Sequence, residues 1–171
     1  MFTVVLALSV NAAAAELSEY DIKSGMLYNF TNFIEWPDGS LDNTNTLSVC
    51  IAGDNSSNRF FYRLNGKPYK NRTIVVRQIR EPGSANGCNL LFIDTSEVNQ
   101  LSAYLKMAQR KSILTVSDID EFAALGGIIG FIEQDGKVRF EINLDSAHQS
   151  KIKISSQLLK LARIVANSKL R

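Results

Sequence analysis

The stretch Phe122–Ile132, FAALGGIIGFI, sets two adjacent glycines between a short apolar helix-like segment and an apolar strand-like segment. Glycines so placed could let backbone amides close around a phosphate, or could simply turn the chain. Phosphate-binding loops have fixed spacings, and neither G-x-G-x-x-G nor G-x-x-x-x-G-K-[ST] occurs in the chain. Gly126 and Gly127 also follow a helical segment, and a helix C-terminus carries the negative pole, the wrong end for an anion. They are read as a structural turn, a helix C-cap in which glycine supplies a positive φ.

The other reactive side chains form no catalytic set. His148 is the only histidine, which leaves no histidine-rich metal site; beside a helix start it reads as a solvated or capping residue. A G-x-S-x-G elbow is missing, which argues against an α/β-hydrolase. Ser117-Asp118 follows an apolar run without a histidine partner and reads as a helix N-cap. Asp118, Asp120 and Glu121 could suggest a cation site, but acids in a helix's first turn are expected from the dipole alone. Glu141 and Arg139 read as a surface ion pair. The expectation is therefore a protein without catalytic residues, metal or cofactor.

Cys50 and Cys88 are the only cysteines. In an exported chain an even count suggests a disulfide; the alternative is two buried free thiols. Closing a loop of that length would add about 4 kcal/mol on a chain-entropy estimate. No Cys-x-x-Cys occurs, so a thioredoxin-like site is excluded. Export is expected from residues 1–15, MFTVVLALSVNAAAA, an uncharged apolar run ending in Ala13-x-Ala15 before Glu16. No basic residue precedes it, so the start is read as truncated or misassigned. The run is too short for a span of about 20 residues, and no later segment qualifies. The expected arrangement is a signal peptide over 1–15 and one domain over 16–171.

The elements that must hold these residues follow from patterning. The chain has 171 residues, 45% hydrophobic and 21% charged, with a net charge of +2. That is an ordinary globular composition, and the scattered basic residues give no nucleic-acid-binding face. Residues 17–36 are read as an amphipathic helix on the stripe Tyr20, Leu27, Phe30 and Ile34, widened by Met26 and Phe33, and stopped at Trp36-Pro37. Strands are expected at Thr46–Gly53, Arg72–Ile79, Cys88–Asp94 and Ser112–Asp118. A short helix is expected before Leu64, another from an N-cap at Thr95 or Ser96 to about Lys106, and a third over Ile119–Leu125. Asp135-Gly136 joins IGFIEQ to KVRFEINL as a two-residue hairpin. Residues 150–166 are read as a last helix with Ile154, Leu158, Leu161 and Val165 as its core stripe. This alternation gives a single α/β domain: a mostly parallel mixed sheet flanked by helices, with a C-terminal antiparallel hairpin.

Several stretches, in order, resemble the YfiR-like periplasmic proteins. They are YNFTNFIEWP, SVCIAGD around Cys50, CNLLFID with Ser96-Glu97, ILTVSD, FAALGGIIGFI, GKVRFEINL and KISSQLLKLA. Together they cover roughly residues 25–162. The resemblance implies a periplasmic α/β domain, often dimeric, that regulates membrane-bound diguanylate cyclases. Such a protein binds the periplasmic sensor domain of an inner-membrane GGDEF protein and holds the cyclase inactive. Cyclic-di-GMP then stays low and biofilm formation is restrained. Cys50 and Cys88 match the family's cysteine pair, which implies a disulfide. Some relatives carry a second pair near the hairpin, and this chain has none there.

A chain without a catalytic set reads as a binding module. Arg139, Glu141 and Asn143 on the KVRFEINL strand, with Lys153 and Gln157 on the last helix, are the expected partner surface. Glu141 and Asn143 should point away from the core if Phe140 and Ile142 point in. The alternative is a periplasmic small-molecule-binding module without a cyclase partner, in which Tyr28, Phe30 and Phe33 line a pocket.

Overall fold

A computed structural model describes residues 17–41 and 44–168. The expected signal peptide over 1–15 lies outside them. Helix α1 (Glu19–Asn32) starts at a capping box, in which Ser18 and Asp21 satisfy each other's backbone amides. It stops earlier than residue 36. Phe33 leaves the helix, and β1 (Ile34–Glu35) pairs with β9 (Lys153–Ile154) as a separate antiparallel ribbon.

The main sheet is built from β2 (Thr46–Ala52), β3 (Pro68–Tyr69), β4 (Arg72–Ile79), β5 (Leu90–Ile93), β6 (Leu114–Ser117), β7 (Ile129–Gln134), β8 (Lys137–Asn143) and β10 (Arg163–Val165). Its order is β10-β8-β7-β6-β5-β2-β4-β3. Pairing is parallel throughout except at β3–β4 and β7–β8. The fold is thus a mostly parallel mixed sheet with helices on both faces. Chain order reverses at β2, whose neighbours are β4 and β5, so the crevice past the ends of β2 and β5 is a topological switch point. The β7–β8 turn has both Asp135 and Gly136 at positive φ, as a tight two-residue hairpin requires.

Strand alternation divides the core in two. Val49, Ile51, Leu90, Phe92, Leu114 and Val116 face Leu27 and Phe30 of α1 and Phe61 of α2 (Arg59–Tyr62). Cys50, Ala52, Leu91 and Ile93 face the other way, onto Leu101, Tyr104 and Ala108 of α3 (Leu101–Lys111). Fully buried β5 is therefore apolar at every position. Cys50 and Cys88 form a disulfide on the α3 face, with Cα atoms 5.8 Å apart.

Three expected elements differ. The helix over 150–166 does not form: its residues become β9, the short α5 (Ser156–Leu159) and β10. The free edge of β8 offers unpaired backbone groups, and Arg163–Val165 extend to meet them, which overrides the helical spacing. Of the expected stripe Leu158 is buried, but Leu161 is 72% exposed. Ile119–Leu125 is a run of turns instead of a helix, interrupted by Glu121 at φ 57°. The N-cap before α3 is Asp94, ahead of Thr95 and Ser96; it caps a 3-10 turn over Thr95–Gln100. A further helix, α4 (Leu144–Gln149), follows β8 directly, capped by Asn143. His148 lies in its last turn.

Candidate functional site: a charged cleft beside the hairpin

Lys23 would be expected to snorkel toward water, yet it is 6% exposed. It lies on the apolar stripe of α1, three residues after Tyr20 and four before Leu27. Its Nζ donates to Asp118 Oδ2 at 2.9 Å and pairs with Glu19 Oε1, one turn back, at 2.5 Å. It also lies 4.7 Å from the centre of the Tyr20 ring. Tyr20 adds a hydroxyl donated to the same Asp118 oxygen at 3.2 Å. Burial alone would lower the Lys23 pKa, but the bonds to Glu19 and Asp118 outweigh it and hold it above the usual lysine value. Burial, then the Asp118 charge, pushes the Tyr20 hydroxyl up.

Glu19, Lys23 and Asp118 form one wall of a cleft of about 940 Å³, with Tyr20 behind them on Asp118. Asp120 and Glu121 of the post-β6 turn line it, as do Phe131 of β7, Val138 and Arg139 of β8, and Arg163 of β10. Cations and acids alternate around it over an apolar floor. Such a surface discriminates between charged partners more than it adds raw affinity.

The expected partner residues do not gather in one patch. Arg139 is exposed and lines this cleft. Lys153 is exposed but lines a different, smaller cleft with Trp36 and His148. Gln157 is exposed on α5. Glu141 and Asn143 alternate with Phe140 and Ile142 as expected, but they do not face water: Glu141 is 3% exposed and Asn143 0%. Their face is covered by the turns over 119–127 and by the tail after β10. Asn143 Nδ2 donates to Ala123 O and to Asn167 Oδ1, each at 2.7 Å, while its Oδ1 caps α4 through Ser146 N. Glu141 pairs with Arg163 rather than with Arg139, at 2.6 Å.

Gly126 and Gly127 close the turn over that face. Gly127 N donates to Phe122 O and Gly126 N to Ala123 O, the bond pattern of a Schellman motif, with Gly126 at φ 107°. A Cβ at Gly127 would fall 2.1 Å from the Phe122 ring, so the second glycine provides room rather than φ. Of the expected pocket aromatics, Phe30 is 2% exposed and packs on Phe131 and Phe140, so it belongs to the core, while Tyr28 and Phe33 are half-buried.

Sequence reading missed Lys23, Tyr20 and Arg163 as site residues. A lysine inside an apolar helical stripe was the available signal for Lys23. Arg163 had none, because its partner Glu141 is distant in sequence. Among the described residues no group of three His, Cys, Asp or Glu is placed to hold a metal, and no helix is long and apolar enough to cross a membrane.

Comparison with known proteins bears on the whole domain. Among solved structures, the chain is similar to a conserved domain protein from Vibrio cholerae O1 biovar El Tor (TM-score 0.55, 10% identity, 90% of this chain and 61% of that one). It is equally similar to a ligand-free, open substrate-binding protein with adhesive properties from Clostridium difficile (TM-score 0.55, 10% identity, 90% and 61%). A third is a domain crystallised with L-Trp from Streptococcus pneumoniae (TM-score 0.54, 9% identity, 86% and 60%). The chain spans about three fifths of each, and at these identities the likeness is one of fold alone. No curated protein matches. The model of the YfiR/HmsC-like family matches residues 20–163, from α1 to Arg163 on β10. The chain belongs to the YfiR/HmsC-like family.

Proposed function

We propose that this protein is a non-enzymatic periplasmic regulator. It binds the periplasmic sensor domain of an inner-membrane GGDEF diguanylate cyclase and holds the cyclase inactive. Cyclic-di-GMP falls as a result, and biofilm formation with it. The observation that carries this reading is the family match over residues 20–163. The mechanism is a population shift: the regulator binds the inactive cyclase state more tightly, and a signal that weakens this binding releases the enzyme.

The contact surface includes the exposed Arg139, Lys153 and Gln157. Buried Glu141 and Asn143 act beneath it, Glu141 by fixing Arg163 at the rim of the cleft and Asn143 by tying β8 to the tail. A homodimer would let two such surfaces meet two sensor domains. Export through residues 1–15 puts the protein in the compartment where that domain lies.

Deletion of the coding sequence tests the reading in cells. Cyclic-di-GMP should rise and return to its starting level when the protein is resupplied, but not when it is resupplied as Arg139→Glu. Unchanged cyclic-di-GMP after deletion, in cells that express the protein, would contradict the proposal.

A further inference from the structure

β7 runs past the end of β6. The two strands pair only at Val116↔Ile129 and Ser117↔Gly130, and β6 stops at Ser117. The hairpin continues beyond that point, with β7 and β8 paired on through Phe131↔Phe140, Ile132↔Arg139, Glu133↔Val138 and Gln134↔Lys137. The end of β7 therefore has a strand on one side and none on the other. Antiparallel partners alternate between pairs that exchange both backbone bonds and pairs that exchange neither. The two-residue turn at Asp135-Gly136 makes Gln134↔Lys137 a bonded pair, and Asn143 N–H, donating to Ile128 O, sets the same parity at the other end. Ile132 and Gln134 thus spend their backbone groups on β8. Phe131 and Glu133 turn theirs to the vacated side, where no backbone partner among the described residues reaches Phe131 O, Glu133 N–H or Glu133 O.

This open edge lies inside the large cleft. Phe131 and Glu133 both line it, as does Asp118, where the chain leaves β6. Phe131 packs on Phe30 of α1, so Glu133, two residues on, and Val138 opposite it look the same way. On that side Leu17 and Ile22 line the cleft with 70% and 36% of their surface exposed, apolar side chains with nothing over them among the described residues. Ile132, Lys137 and Arg139 take the other face of the hairpin. Lys137 and Arg139 have no acidic partner among the described residues, since the cleft's other cations are already paired, Lys23 with Glu19 and Asp118 and Arg163 with Glu141. Asp120 and Glu121 belong to the turn after β6, so they bound the inner end and leave this face of the hairpin cationic.

A strand edge with unpaired N–H and C=O groups is a template for another strand, whose backbone supplies affinity and whose alternate side chains supply specificity. A helix has no free backbone groups to offer along its length. The walls say which strand fits. Side chains directed toward α1 meet Leu17, Ile22 and Val138, with Glu133 the one charge on the hairpin's share of that wall, and there apolar residues are favoured. Side chains directed the other way meet Lys137 and Arg139, and there acidic residues are favoured. We propose that the slot beyond the end of β6 is a docking groove for an extended segment of a partner protein, in which apolar residues alternate with acidic ones, added to the sheet as a strand beside Phe131–Gln134. The proposal deepens the regulatory reading by giving the mode of contact, and rests on it only for whose segment is bound.

Two synthetic peptides test it on the full mature chain, GSVEVEVSG and its lysine counterpart GSVKVKVSG, titrated by NMR with backbone amide exchange as a second readout. The glutamate peptide should saturate, slow exchange at Glu133 N–H, and bind more tightly than the lysine peptide. Glu133→Pro removes the outward N–H without taking a bond from β8, so it should fold and bind the glutamate peptide roughly tenfold more weakly, the effect of one lost hydrogen bond. Arg139→Glu should reverse the preference between the two peptides, and it carries the comparison should Glu133→Pro not fold. The proposal is overturned if neither peptide saturates, if the lysine peptide binds wild type more tightly, if Glu133 N–H exchanges in the complex as in the free chain, or if the folded variants bind like wild type. Failure with the peptides, alongside a rise in cyclic-di-GMP on deletion, removes the docking mode and leaves the regulator; the opposite pair of results removes the regulator and leaves the groove.

Discussion

Arg163 Nη2 lies 2.6 Å from Glu141 Oε2, with the arginine 63% exposed and the glutamate side chain 4% exposed. The pair clamps β10 across β8 at Arg163↔Glu141, the first register position of that pairing. Removing the arginine leaves a buried carboxylate without its cation. Arg163→Ala should cost about 1–2 kcal/mol, below the cost of breaking a fully buried pair because water already reaches the arginine. Urea unfolding checks the size, and amide exchange should speed up first over residues 163–165. Glu141→Lys is, for the same reason, a test of folding rather than of partner binding.

Lys23 is the more demanding ion pair because both its own side chain and that of Asp118 are nearly enclosed, at 7% and 8% exposure. Lys23→Met keeps the apolar stem and removes the ammonium. The loss should be about 3 kcal/mol, as expected when one partner of a buried pair is deleted. Chemical denaturation gives the value. Glu19→Gln, which alters the exposed partner, should cost well under 1 kcal/mol.

Stability should also fall on the alkaline side. The Lys23 ammonium is held above its ordinary 10.5 and the Tyr20 hydroxyl above 10.0, while burial and then Glu97 push Tyr104 up to about 12. In each case the folded state binds the proton more tightly than the unfolded chain does. Their stabilisation is complete below the unfolded pKa values and is lost as pH rises through the folded ones. Melting curves should therefore vary little on this account from roughly pH 7 to 9 and drop above about pH 10. Tyr20→Phe should make that alkaline drop shallower.

Cys50 lies on the α3 face with Cys88, and their bridge closes a separation of 38 residues. Cys50→Ser should lower stability by about 4 kcal/mol on the chain-entropy estimate and leave one thiol, Cys88, to titrate after unfolding. A thiol assay on unreduced native and denatured protein checks the bridge directly. Two titratable thiols in the unreduced wild type would contradict it.

Much of the sheet was legible because its strands are short apolar runs between turn signals. Thr46–Ala52, Arg72–Ile79, Leu90–Ile93 and Leu114–Ser117 could be read this way, and Asp135-Gly136 marked the hairpin. The C-terminal segment was not legible. Ile154, Leu158, Leu161 and Val165 fit a helical spacing, but two sheet edges, β1 and β8, claim residues 153–154 and 163–165. No local pattern encodes that competition. The site failed for a related reason. Phe140 and Ile142 gave the correct alternation for Glu141 and Asn143, whereas the cover over them comes from Ala123 and Asn167, 20 and 24 residues away from Asn143. Alternation tells which face a side chain takes, and tertiary contacts decide whether that face is wet.

The measurement that bears most directly on the regulatory account is capture from solubilised membranes by tagged mature protein, residues 16–171, followed by mass spectrometry. The account predicts recovery of a GGDEF membrane protein, with recovery reduced for folded Arg139→Glu. Folded wild-type bait that retains no GGDEF protein from membranes shown to contain one would contradict it.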